Sequence, residues 1–111
     1  MRYDLEQRTL SFSKSVLMFC KTLPQDAIIR PLISQLVRSS GSIGANYIEA
    51  NESLSKKDFV HRVKISRKEA KETIFWLDNL SSVVSRKEIE QLSDEALQLK
   101  KILSTIIEKS S

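Results

Sequence analysis

With 111 residues, a net charge of +4, 41% apolar and 29% charged residues, the chain reads as a single globular domain spanning 1–111. Cys20, the sole cysteine, excludes an internal disulfide and a cysteine-rich zinc site. The opening Met-Arg-Tyr-Asp-Leu-Glu-Gln-Arg has no apolar signal core and no run of about 18 apolar residues follows, so a cytoplasmic protein with no membrane partner is expected.

The first segment runs from about Asp4 to Thr22. Leu5, Thr9, Phe12, Val16, Phe19 and Cys20 recur at the spacing of a buried helix stripe, and Leu23-Pro24 stops the run because a residue before proline avoids the α region. A second helix is predicted from near Ile28, with Pro31 tolerable only in its first turn. Its stripe reads Ile29, Ile33, Leu36, Ser40, Ile43, Gly44, Tyr47 and Asn51. Both glycines of the chain, Gly41 and Gly44, fall inside it, each costing about 1 kcal/mol against Ala in a helix interior. Close approach of a neighbouring helix would compensate that cost.

Ser55 is placed to cap a third helix, with Asp58 at the positive end of its dipole. The stripe Phe59, Val63, Ser66, Ala70, Ile74 and Leu77 has small residues at its centre. The expectation is a structural helix crossing in which Ser66 and Ala70 lie opposite Gly41 and Gly44. Ser85-Arg-Lys-Glu88 resembles a capping box and Ser93-Asp-Glu offers a second start, so a short turn at 86–91 and a final helix from about Asp94 to Lys109 are expected. Its stripe is Leu92, Ala96, Leu99, Leu103, Ile106 and Ile107. The fold class is therefore all-α, an antiparallel up-down-up-down four-helix bundle. Leu10, Leu17, Ile65 and Trp76, with Leu97, lie off these stripes and are candidates for an oligomer interface.

Charge is concentrated between residues 56 and 71, where Lys56, Lys57, Arg62, Lys64, Arg67, Lys68 and Lys71 face only Asp58 and Glu69. Lys57, His61, Lys64, Lys68 and Lys71 are spaced 4, 3, 4 and 3, on one side of a helix, with Arg67 at its edge. A solvated lysine face is the ordinary meaning of such a run. Here the stripe is of one sign over about 20 Å, and self-repulsion is relieved when a phosphate backbone meets it. Catalytic chemistry finds no support: His61, the lone histidine, is flanked by cations and has no triad partner. Glu49 and Glu52 share a face without further bundle ligands, and read best as ion-pair partners of a neighbouring helix rather than a metal site. Gly41-Ser-Ile-Gly44 lacks the Gly-Lys-Ser/Thr of a phosphate loop. Cys20, on the apolar face, reads as a buried small hydrophobe.

Residues 38–53, Arg-Ser-Ser-Gly-Ser-Ile-Gly-Ala-Asn-Tyr-Ile-Glu-Ala-Asn-Glu-Ser, resemble the central motif of the bacterial four-helix bundle proteins of the 23S rRNA intervening-sequence family. Lys57-Asp-Phe59, Lys68-Glu-Ala-Lys-Glu-Thr73 and Phe75-Trp-Leu77 are similar to that family's second motif, and Leu5-Glu6, Phe19-Cys-Lys21 and Leu23-Pro24 to its opening helix. Where the family usually has Tyr-Trp-Leu, this chain keeps the ring and loses the hydroxyl. The resemblance implies a non-enzymatic bundle assembled into a ring, typically a homopentamer, with no catalytic residues and no cofactor. Some members are encoded inside intervening sequences of 23S rRNA genes. Others of the same fold are accessory factors of diversity-generating retroelements that bind nucleic acid through a basic outer surface. In that light Asn46, Glu49 and Glu69 are structural, Arg38 is an ion-pair partner, and Lys57, His61, Lys64, Arg67, Lys68 and Lys71 are the expected nucleic-acid contacts. An adaptor that docks an acidic protein, such as a reverse transcriptase, is the alternative.

Overall fold

The computed structural model describes residues 2–110, with side chains from Asp4 onward. Four helices are present: α1 (Arg2–Cys20), α2 (Ile29–Asn51), α3 (Lys56–Ser81) and α4 (Lys87–Ser110). Each packs against its neighbour in sequence, and α1 closes the ring onto α4, giving a rod of 45 × 20 × 19 Å. No strand occurs among the described residues, so the expected four-helix bundle is what forms.

The end of α1 and the starts of α2 and α3 each have a local cause. The α1 helix unwinds ahead of Leu23-Pro24, where Thr22 donates both its N–H and its hydroxyl to the Phe19 carbonyl. Asp26 starts α2: its Oδ1 accepts from Ile28 N and Ile29 N at 2.9 and 2.8 Å, so two donors that the helix leaves orphaned are satisfied. Pro31 then sits among the first four residues, where its missing N–H costs no hydrogen bond. Ser55 caps α3 as expected, accepting from Asp58 N at 3.1 Å.

The predicted stripes form the core. Val16, Leu36, Ile43, Val63, Ala70, Leu77, Ala96, Leu99 and Leu103 are wholly enclosed. One element differs: residues 86–110 do not break near Ser93. A single helix runs from Lys87, because Ile89 is buried and prolongs the stripe through Leu92 and Ala96 without a change of face. Ser93 and Asp94 each carry a helix-propensity penalty of well under 1 kcal/mol, less than burying Ile89 returns. The Glu88 carboxylate, expected to close a capping box, is held instead by Arg86 at 2.9 Å.

The crossing also differs from expectation. A β-carbon on Gly44 would lie 2.8 Å from Thr9 Oγ1 and 3.1 Å from Thr9 Cβ, and one on Gly41 would lie 3.6 Å from Ser13 Oγ. The glycines therefore admit α1 rather than α3. Against α3, the α2 helix presents Ser39 and Ile43, and Ser66 donates to the Ile43 carbonyl at 2.6 Å. Thr73 Oγ1 lies 3.0 Å from Ser39 Oγ and donates to the Glu69 carbonyl at 2.8 Å. Ser66 and Ala70 are buried in that contact, where Ser66 meets the Ile43 backbone rather than a glycine. A thin layer of buried hydroxyls, each satisfied inside the bundle, takes the place of the expected glycine–serine crossing.

Candidate nucleic-acid interface

The α3 helix has three sides with separate jobs. Val63, Ser66, Ala70, Thr73 and Leu77 face the core. Glu69 and Glu72 turn toward α2, where Arg38 bridges them at 3.2 and 3.0 Å. This is the ion pair expected for Arg38 and Glu69, now shared with Glu72. The remaining side carries Lys57, His61, Lys64, Lys68 and Lys71, all exposed.

None of these five enters an ion pair. The ion pairs among the described residues are Arg8–Glu95, Arg38–Glu69, Arg38–Glu72 and Arg86–Glu88. Arginine takes every acid that is paired, and the lysines of α3 are left facing solvent. Arg67 is not one of the free cations: it is half-buried and its guanidinium donates to Ser104 on α4 at 3.5 Å. It belongs to the edge of the stripe, holding α3 to α4.

That contact marks the antiparallel register of α3 and α4. Four residues along each helix from Arg67 and Ser104 are Lys71 and the half-buried Lys100, which puts a further cation of α4 at the register of Lys71. Lys100 was not legible in the sequence, because only the register brings it beside α3. At the other end Lys56, Lys57, Val60, His61, Lys64 and Ser110 line a recess of ≈ 600 Å³. The start of α3, with its own positive dipole end, adds to the field there.

Other expected features fall elsewhere. Glu49 and Glu52 make no ion pair and line a small recess with Asp58, His61 and Arg62, so the pairing predicted for them does not occur. No group of three or more His, Cys, Asp or Glu among the described residues can hold a metal. Leu10 and Leu17 are exposed, two turns apart on α1, and Ile48 is exposed on α2. Ile65 is half-buried. Trp76 packs against the core rather than standing on the outer face, with its Nε1 buried and unpartnered. A groove of ≈ 830 Å³ separates α1 from α4, floored by Phe12, Phe19 and Leu92. At its rim Arg8 pairs with Glu95, while Arg86 pairs with Glu88 and lies 5.2 Å over the Phe19 ring. The hydrogen bond from Arg86 holds the Glu88 carboxyl below its ordinary range.

Cys20 is buried, and desolvation pushes its thiol up to about 11. In the unfolded chain a thiol ionises near about 8.5. The folded value is the higher one, so this group's contribution to stability is intact below about pH 8.5 and is lost as pH climbs toward 11. At pH 8 the native protein should resist alkylation by iodoacetamide and react promptly once denatured. Labelling at equal rates in both states would show the thiol to be open.

The comparisons agree with this architecture. A family model described as 23S rRNA-intervening sequence protein matches residues 2–105. The chain belongs to that family. A crystal structure from Bacteroides thetaiotaomicron VPI-5482, described as a protein with unknown function from the S23 ribosomal protein family, superposes with a TM-score of 0.85. It shares 28% sequence identity, over 97% of this chain and 99% of that one. Comparison with curated proteins returned no match. Among the described residues no helix is long and apolar enough to cross a membrane.

Proposed function

We propose that this chain is a non-enzymatic, homo-oligomeric bundle whose α3 face binds RNA or DNA with little sequence specificity. The observation that carries the reading is the division of labour among cations: arginines occupy every paired acid, while Lys57, Lys64, Lys68 and Lys71 stand unpaired on one stripe. Ammonium groups on a rigid helix neutralise phosphates as point charges and read no bases, which accounts for low specificity. Arg67 supports the stripe from its edge and His61 lies within it.

A fluorescence-anisotropy titration against salt tests this. About five phosphate contacts give a slope of log K against log salt between about −3.5 and −4.5. Absence of binding at low salt would refute the reading. If the same face instead docks an acidic protein such as a reverse transcriptase, the complex recovered from cells survives nuclease treatment and the salt slope on oligonucleotides is flat.

Exposed Leu10, Leu17 and Ile48 support assembly with further copies of the chain, and the homopentamer typical of the family is the ring proposed. Light scattering at micromolar concentration should return a mass well above 12.7 kDa, and a clean monomer there refutes the assembly.

A further inference from the structure

The lysine stripe does not stop at Lys71. Continuing its 4, 3, 4, 3 spacing by four more residues reaches Phe75, on the same face about one turn beyond Lys71. Phe75 is 56% exposed, unusual for a phenylalanine on a helix whose other side supplies the core. Its ring also has an aromatic neighbour. Trp76 meets it edge-to-face, with centroids 4.9 Å apart and planes at 77°, and Trp76 is itself seated against the core. An exposed ring beside a row of free ammonium groups is what an unpaired base stacks on.

We infer that the ligand of this face is a single-stranded nucleic acid, with a base stacked on Phe75 while its backbone runs along Lys71, Lys68 and Lys64. The inference rests on the nucleic-acid reading above and narrows it. Bases in a duplex are already stacked and lie inside the helix, so a duplex meets the lysines but not the ring. Stacking is tolerant of sequence because every base has a π face, which agrees with a site that has no side chains arranged to read base edges.

The test compares oligo(dT), oligo(rU) and a duplex of the same length, bound to the intact protein at one salt concentration. Trp76 is the only tryptophan, so its emission reports on the ring beside it. Both single strands should bind more tightly than the duplex and quench Trp76, while the duplex binds without quenching. Phe75→Ala should weaken single-strand binding roughly fivefold or more and leave duplex affinity and the salt slope unchanged. Phe75→Tyr should keep full affinity, and Phe75→Leu, which preserves apolar bulk without a π face, should behave like the alanine variant. A preference for only one of the two strands would separate RNA from DNA as the source and still support stacking. If Phe75→Ala and Phe75→Leu bind single strands normally while loss of the lysines abolishes binding, stacking is refuted and the electrostatic reading stands. If no nucleic acid binds the native protein, both fall together. A change of oligomeric state in Phe75→Leu would make the ring a subunit contact and overturn the proposal.

Discussion

Lys64→Glu combined with Lys68→Glu should remove binding to oligonucleotides at physiological salt while the bundle stays folded. The two side chains are exposed and unpaired, so their replacement breaks no internal contact. Surface substitutions of that kind usually alter stability by less than about 0.5 kcal/mol. Binding responds differently, since each reversal deletes a phosphate contact and adds a repulsion. The salt slope should fall by about 2, and the affinity at 50 mM salt by about a hundredfold or more. Reversal at Arg8, outside the face and already paired with Glu95, is the control and should leave binding unchanged. A double variant that binds like the native protein would place the contact on another surface.

The second large effect is on stability, and it has opposite signs at two neighbouring glycines. Gly41→Ala places its methyl in ordinary contact with Ser13 and gains helix propensity, so it should stabilise by about 0.5–1 kcal/mol. Gly44→Ala drives its methyl into Thr9, whose Oγ1 and Cβ would lie 2.8 and 3.1 Å away. The Cβ moves only with the backbone, and Oγ1 is engaged by its hydrogen bond to the Glu6 carbonyl at 3.0 Å. The α1 helix must retreat, and overpacking should cost about 1–3 kcal/mol despite the better propensity. Thr9→Ala in the Gly44→Ala background should restore part of the loss by removing the hydroxyl, while the Cβ contact remains. Urea unfolding followed by circular dichroism reads all four proteins. Equal stabilisation at both glycines would show that α1 does not approach Gly44 as closely as described.

That contrast marks how far a single chain can be read without its fold. Helix positions were legible because hydrophobic periodicity and capping are properties of short segments: Leu5 to Cys20 on α1 and the Ser55 cap on α3 needed no partner to be recognised. The break expected near Ser93 failed for the converse reason. Local start signals are worth a fraction of a kcal/mol, and the buried stripe from Ile89 to Ile107 outweighs them only once α4 has a core to face.

The candidate site divides in the same way. The sequence alone placed Lys57, His61, Lys64, Lys68 and Lys71 on one side of a helix, since a period of 3.6 residues decides which side chains share a face. Which helix meets which small residue is a matter of three-dimensional register, and no spacing along one helix contains it. Tertiary structure turned Gly44 toward Thr9, occupied Arg67 with Ser104 and seated Trp76 against the core, edge-to-face with the exposed Phe75. Distance in space, which separates a free cation from a tethered one, is set only when the four helices close on a common core.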